Sequence, residues 1–218
     1  RVPIGAYGSG GPYHSSSIES VLTNIKGIKI VYPSNSADLK GLMKAAYYDP
    51  NPVIILEHKG LYWSKIKGTE SAKSIEPSKN YILPLGKGRV VKFADEQNVK
   101  NGDSICIITY GMGVYWALES EKQFSGKLEI IDLRTLYPLD EKLIYDSVIK
   151  HNRCLIITEE PSDNTFSQSL AGKIQEKCFQ FLDAPIKVIG SENIPAIPLN
   201  SQLEERYLPN AEKVSKEI

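Results

Sequence analysis

Apolar residues along this chain fall into short continuous runs separated by stripes at helical spacing. Val53-Ile54-Ile55-Leu56 and Ile105-Cys106-Ile107-Ile108 are uninterrupted, which is the pattern of strands buried on both faces of a parallel sheet. Between the runs, Ile18, Val21, Leu22 and Ile25 recur at the spacing of one helix face, and Ser15 to Ser17 offer N-cap oxygens. The first unit therefore reads as a short apolar strand, the loop Gly8-Ser9-Gly10-Gly11-Pro12, that helix, a strand at Ile28 to Val31, a second helix striped by Leu39, Leu42, Met43 and Ala46, and the strand at Val53 to Leu56.

From about Gly60 to Gly102 the pattern weakens into Lys, Ser, Pro and Gly, with one strand-like piece around Arg89 to Phe93. A structureless loop of that length is improbable inside one domain. The expected organisation is thus a unit at 1–63, a linker at 64–95 and a second unit at 96–218. The second unit alternates again: strand Ser104 to Thr109, helix from about Val114 to Gln123, strand Leu128 to Ile131, a helix opened by Asp140 with Leu143, Ile144 and Val148 inward, strand Cys154 to Thr158, a helix bearing Leu170, Ala171, Ile174 and Cys178, and strand Ile186 to Ile189. Strands alternating with amphipathic helices predict an α/β fold with a mostly parallel sheet covered on both faces.

Composition narrows the function classes. The 41% hydrophobic and 24% charged fractions are those of a folded globular protein. Lys plus Arg and Asp plus Glu are both 26, which gives no electrostatic footprint for nucleic acid or an anionic membrane. The apolar runs are too short to span a bilayer, and no signal-peptide pattern opens the chain. The expected location is cytoplasmic, or the mitochondrial matrix in a eukaryote, with proteins and small molecules as partners. Cys106, Cys154 and Cys178 are spaced for neither zinc nor a disulfide framework and are expected as buried, reduced fillers. The chain opens on Arg1-Val2-Pro3 and enters directly into a strand, as a fragment or processed product would.

Candidate chemistry starts at His14, on a loop entering a helix. Histidine changes charge near neutral pH, which suits proton transfer if the loop faces a cleft; the alternative is an ordinary surface histidine. Gly111-Met112-Gly113 sits between strand and helix, where phosphate loops occur, but lacks their third glycine or Lys-Ser/Thr pair and reads as a tight turn. Asp49-Pro50-Asn51-Pro52 has oxygens that could meet a hard cation, and on residues alone is a turn. Glu159-Glu160, at a strand end, is either catalytic or a solvated or helix-capping pair. His58 and His151 have no companions at metal-ligand spacing, so no zinc site is assigned.

Several motifs in order carry a family resemblance. They are Pro3-Ile4-Gly5 through Gly11-Pro12-Tyr13-His14-Ser15, Gly27 through Ser34 with Asp38 to Leu42, Asp49-Pro50-Asn51-Pro52, Glu57-His58-Lys59, Ile131-Asp132-Leu133-Arg134-Thr135 with Pro138, Asp183-Ala184-Pro185 and Tyr207-Leu208-Pro209. Together they resemble the beta subunit of thiamine-diphosphate-dependent 2-oxo acid dehydrogenases, within the transketolase-like superfamily. The resemblance implies a partial pyrimidine-binding α/β domain followed by a transketolase C-terminal-type domain. It implies oxidative decarboxylation of pyruvate or a branched-chain 2-oxo acid with acyl transfer to lipoamide.

The same resemblance assigns His14 to proton transfer at the thiazolium side of the site, and a potassium site to Ala46, Asp49 and Asn51. Thiamine diphosphate and magnesium belong to the full enzyme. The glutamate and aromatic residue that engage the aminopyrimidine match no position here, so no cofactor-binding residue is assigned and the isolated chain is expected to be inactive. Implied partners are an alpha subunit or the N-terminal half of the same enzyme, a lipoyl acyltransferase core, and a second copy in a homodimer. Asp132 and Arg134 are expected to be structural, and Glu159 through Asn164 replaces the family's glycine-rich turn. Acetoin dehydrogenase beta subunits and transketolase-type enzymes share these elements, and a non-catalytic assembly module is the alternative of another class.

Overall fold

In the computed structural model, which describes residues 1–218, the first unit runs β1 (Val2–Ile4), α1 (Gly11–His14), α2 (Glu19–Thr23), β2 (Lys29–Val31), α3 (Ser36–Tyr48) and β3 (Val53–His58). Strands β1 and β2 flank β3 and pair with it in parallel, Val2 opposite Leu56 and Lys29 opposite Val53. Helix α3 starts where Asn35 accepts the Asp38 amide at 2.9 Å, which satisfies one orphan donor of the first turn. Its predicted stripe of Leu39, Leu42, Met43 and Ala46 packs with Val31 and Ile55.

Helix α2 departs from its predicted stripe. Ile18 and Leu22 join the core, but Val21 is 67% and Ile25 49% exposed. The expected serine caps are engaged elsewhere: Ser15 Oγ accepts the Gly10 amide at 3.0 Å, Ser16 donates to the Pro12 carbonyl at 2.7 Å, and Ser17 reaches Glu159 at 3.4 Å. The physical reason is polar burial. Glu19 is buried and Ser20 turns inward to partners in the second unit, and this sets the rotation of so short a helix.

Residues 59–85 contain single 3-10 turns at Lys59–Leu61 and Glu70–Ala72. Tyr81, Leu83 and Leu85 then cover α3, with the Leu83 amide donating to the Gly41 carbonyl at 3.2 Å. Gly41 is required there, because a Cβ would lie 2.6 Å from the Tyr81 ring.

The remaining elements are β4 (Arg89–Lys92), α4 (Glu96–Lys100), β5 (Ile105–Thr109), α5 (Gly113–Glu121), β6 (Leu128–Asp132), β7 (Thr135–Tyr137), α6 (Glu141–His151), β8 (Cys154–Pro161), α7 (Phe166–Cys178), β9 (Lys187–Ser191), α8 (Ser201–Tyr207) and α9 (Ala211–Glu217). Five of the strands form a sheet in the order β4-β6-β5-β8-β9, antiparallel only between β4 and β6. Side chains alternate across it as pleating requires. Cys106, Ile108, Cys154 and Ile156 face Ile144, Val148, Leu170 and Ile174 of α6 and α7, whereas Ile107, Leu155 and Ile157 face Val114 of α5 and Val214 of α9. All three cysteines are free and buried, filling this core as expected.

Strand β7 leaves its own unit. It pairs antiparallel with β2, Val31 opposite Thr135, as the fourth strand of the first sheet. The core is shared as well: Ile4, Ile30 and Leu56 pack in one cluster with Ile108, Ile156 and Leu170. Each such buried side chain is worth about 1.5–3 kcal/mol, so the two sheets hold a set orientation. No helix is long and apolar enough to cross a membrane.

Candidate active site

His14 is the last residue of α1 and is exposed, beside Tyr13 at 89% exposure. The loop that carries it leaves the C-terminal end of β1 through left-handed backbone at Gly5 (φ 88°), Tyr7 (φ 68°) and Ser9 (φ 49°). For residues with a Cβ that conformation costs on the order of 1 kcal/mol each, so outside contacts must hold it. The Ala6 amide donates to Glu159 Oε1 at 2.7 Å, Trp116 Nε1 donates to the Tyr7 hydroxyl at 3.1 Å, and the Ser9 amide donates to Glu204 at 3.2 Å. All three partners belong to the second unit.

Beneath the loop lies His58, the last residue of β3. It is buried, with Nε2 2.6 Å from Glu159 Oε2 and Nδ1 3.1 Å from the Gly60 amide. An amide can only donate, so Nδ1 is the acceptor and the proton sits on Nε2, pointing at the carboxylate. Spacing gives His58 no metal companions and leaves Glu159 and Glu160 as either a catalytic or a solvated or helix-capping pair. Both glutamates are instead buried in β8, at 5% and 3% exposure. Their partners lie 101 to 153 residues away along the chain, beyond the reach of local periodicity.

Glu160 accepts the Ser20 amide at 2.8 Å and the Ser20 hydroxyl at 2.6 Å, and that hydroxyl accepts the Phe166 amide at 2.6 Å. Glu19 stands next to it, fully buried and without a hydrogen-bond partner. Burial, and then the neighbouring Glu160 carboxylate, push the Glu19 carboxyl well above the ordinary range. Glu160 is also raised by burial, against the opposing bonds from Ser20.

The remaining candidates fall elsewhere. Ala46, Asp49 and Asn51 come together in the C-terminal turn of α3, where the Asp49 amide donates to the Ala46 carbonyl at 3.3 Å and the Asn51 amide to Asp49 Oδ1 at 2.9 Å. Lys29 Nζ lies 2.5 Å from Asp49 Oδ2, and its hydrogen bond, with those from Asn51, lowers the carboxyl to about 2. This turn precedes β3 whereas the His14 loop sits at its far end, roughly 17 Å away by strand rise. Gly111 (φ 53°) has the Tyr32 ring where a Cβ would be, 2.5 Å away, and the Gly113 amide donates to Tyr110 at 3.1 Å, so this segment is a packed turn. His151 is buried against Ser104 at 2.7 Å.

Asp132 and Arg134 tie the two units. Arg134 Nε donates to Asp38 at 3.1 Å, Ser34 donates to Asp132 at 2.5 Å, and the Arg89 guanidinium stands 3.6 Å and 3.7 Å from the two acids. Burial raises Asp132 to about 6, against Ser34 and the arginines.

The cavity next to the His14 loop, about 620 Å³, is walled by Tyr7, Gly8, Ser9, Ile66, Glu204 and Glu205 among others. Its acids oppose a diphosphate, which is held by cations and helix N-termini. The residues that wall this cavity therefore do not fit the diphosphate of a thiamine cofactor.

Two α/β units joined through a common core, with a polar loop at the C-terminal ends of parallel strands, define the class of two-domain α/β proteins, in which such strand ends are the usual place for a ligand. Family models place the chain within it: the transketolase C-terminal domain matches residues 96–214 and the transketolase pyrimidine binding domain matches residues 1–64. The chain belongs to the transketolase family. It is 37% identical over 217 residues to the 2-oxoisovalerate dehydrogenase subunit beta of Bacillus subtilis (strain 168), covering 98% of this chain and 62% of that one. It is 32% identical to the pyruvate dehydrogenase E1 component subunit beta of Rhizobium meliloti (strain 1021), over 98% of this chain and 44% of the relative. It is 35% identical to the acetoin:2,6-dichlorophenolindophenol oxidoreductase subunit beta of Bacillus subtilis (strain 168), over 98% and 60%. The chain thus spans less than two thirds of these relatives. Its fold is shared with a solved split gene transketolase, an inactive beta4 tetramer, at a TM-score of 0.69 and 17% identity, covering 98% of this chain and 62% of that one.

Proposed function

We propose that this chain presents His14 to the reacting centre of a thiamine-diphosphate-dependent 2-oxo acid dehydrogenase, the whole enzyme decarboxylating a 2-oxo acid and passing the acyl group to lipoamide. The observation that carries this reading is an exposed imidazole in Tyr13-His14-Ser15 on a loop whose anchors lie in the second unit. Likeness to beta subunits along nearly the whole chain supports it. The cofactor, when bound, supplies the electron sink for the carbanion left by departing carbon dioxide. His14 holds or gives a proton at a ring nitrogen as the acyl group passes on.

In this reading the diphosphate and its magnesium sit on the alpha subunit or N-terminal half, as the acidic wall facing Tyr7, Gly8 and Ser9 favours. A potassium ion takes carbonyl oxygens in the turn at Ala46, Asp49 and Asn51, at the C-terminal end of a helix where carbonyls leave the helical ladder. The chain is divided at 1–63, 64–95 and 96–218, pairs with a second copy about a two-fold axis, serves a lipoyl acyltransferase core, and works in the cytoplasm or mitochondrial matrix.

His14→Ala in the whole enzyme tests the central claim by single-turnover assay with 2-oxoisovalerate, pyruvate and acetoin in parallel. Acyl transfer to lipoamide is expected to slow by about 10²–10⁴-fold, with decarboxylation falling less. Unchanged lipoamide acylation on the accepted substrate would remove His14 from the reaction.

A further inference from the structure

Glu159 is a buried carboxylate whose one neighbour at ion-pair distance is the His58 imidazole. A buried anion costs several kcal/mol unless fixed donors meet it. Its donors here are the Ala6 amide at 2.7 Å, His58 Nε2 at 2.6 Å and, more weakly, the Ser17 hydroxyl at 3.4 Å. Ala6 and Ser17 stand on either side of the segment that carries His14. One carboxylate therefore closes the loop at both ends.

His58 is itself locked. Its Nδ1 accepts from Gly60, so it can offer Glu159 only a proton. Gly5 lies against one part of the ring, where any Cβ would collide with it, and a Cβ on Gly60 would come within 3.0 Å of its Cε1. Both members of the pair stand on strands, His58 ending β3 and Glu159 in β8, and sites on strands are held more narrowly than sites on loops. Lifting the loop would strip the carboxylate of the Ala6 and Ser17 donors together. The buried charge thus favours the seated loop, against the left-handed backbone at Tyr7 and Ser9.

We propose that Glu159 and His58 are positioning residues for His14, a buried carboxylate and imidazole from the two units that clamp the loop Gly5 to Ser17 in one seat. The proposal rests on the reading of His14 as the residue that handles the proton, and the experiment separates failure of one from failure of the other.

In the full-length enzyme, Glu159→Gln keeps the size of the side chain but sets an amide N–H against either the Ala6 amide or His58 Nε2, so one bond is lost. Hydrogen exchange of the amides from 6 to 17 is expected to speed up at least about tenfold, with the melting temperature little changed. Unaltered exchange overturns the clamp, whatever the activity does. Acyl transfer is expected to fall at least about tenfold while KM for the 2-oxo acid stays constant. In a His14→Ala background Glu159→Gln should cost nothing further, as residues acting through one group are non-additive. An equal loss in both backgrounds overturns positioning and leaves His14 its role. A harmless His14→Ala overturns that role, and exchange still decides the clamp. If Glu159→Gln fails to fold, Ser17→Ala leaves the carboxylate its two shorter bonds and should speed exchange near residue 17 alone; no change there counts against the proposal.

Discussion

Two clusters of buried acids join the units of this protein, and they are compensated in different ways. At one, Asp38 and Asp132 face Arg89 and Arg134, two anions against two guanidinium groups. At the other, Glu159 and Glu160 meet hydroxyls, amides and one imidazole, Glu19 beside them has no hydrogen-bond partner, and no guanidinium is among them. Charge balance makes the first a lock between β2, α3 and the second sheet. The second holds its negative charge through directional donors supplied by the His14 loop and α2, so its energy depends on where those segments sit. A site that must hold a loop in one geometry gains from the second arrangement, because each donor is tied to a particular backbone position.

The largest expected effect comes from breaking the balanced cluster. Arg134→Ala leaves Asp38, 2% exposed, without its 3.1 Å partner, and removing one partner of a buried pair costs about 3–5 kcal/mol. Urea unfolding should show that loss in the midpoint. A loss below about 1 kcal/mol would mean that Arg89 carries the balance unaided and that the contrast between clusters is smaller than their composition suggests. Arg134 sits at φ 58°, and Arg134→Gly should be the milder truncation by a few tenths of a kcal/mol.

Much of this architecture was legible in the sequence. Continuous apolar runs marked β3, β5 and β8 because strands covered on both faces leave no polar side. Asp140 marked the start of α6, where its carboxylate meets the Leu143 amide. The acids were not legible, for a physical reason. Glu159 and Glu160 have partners more than a hundred residues away, and a carboxylate's burial depends on partners that no local period encodes. The three-residue strand β7 was hidden likewise, since its pairing with β2 crosses between units. His14 drew notice from its loop and its motif, whereas His58, present in the motif Glu57-His58-Lys59 and weighed only as a metal ligand, gave no sign of its pairing with Glu159.

Glu19 sharpens the comparison through pH. Its folded carboxyl titrates well above the ordinary 4.5, so the folded chain binds the proton more tightly than the unfolded chain does. That contribution is complete below the unfolded value and is lost as pH rises through the folded one. Glu19→Gln cannot ionise, so it should change stability little below the unfolded carboxyl value and stabilise at alkaline pH, where the parent protein must bury a charged carboxylate. Asp132, raised to about 6 from 3.8, has the same sign in its own narrower window. The variant should therefore keep the slope that Asp132 and Glu160 contribute and lose the part due to Glu19. Melting curves of both proteins from acid to alkaline pH check the point, and an unchanged slope would place the proton elsewhere in the cluster.

The smallest effects distinguish what holds α2. Ser20→Ala removes a hydroxyl that donates to Glu160 and accepts from Phe166, and leaving both groups short should cost about 1–2 kcal/mol. Val21, 67% exposed on the next position of the same helix, belongs to the stripe that its spacing predicts as buried. Val21→Ser should change stability by less than about 0.5 kcal/mol. A larger loss at Val21 than at Ser20, read by the same unfolding curves, would return α2 to the apolar stripe. The reverse order means that the acids of β8 orient this helix and, through it, the end of the loop that carries His14.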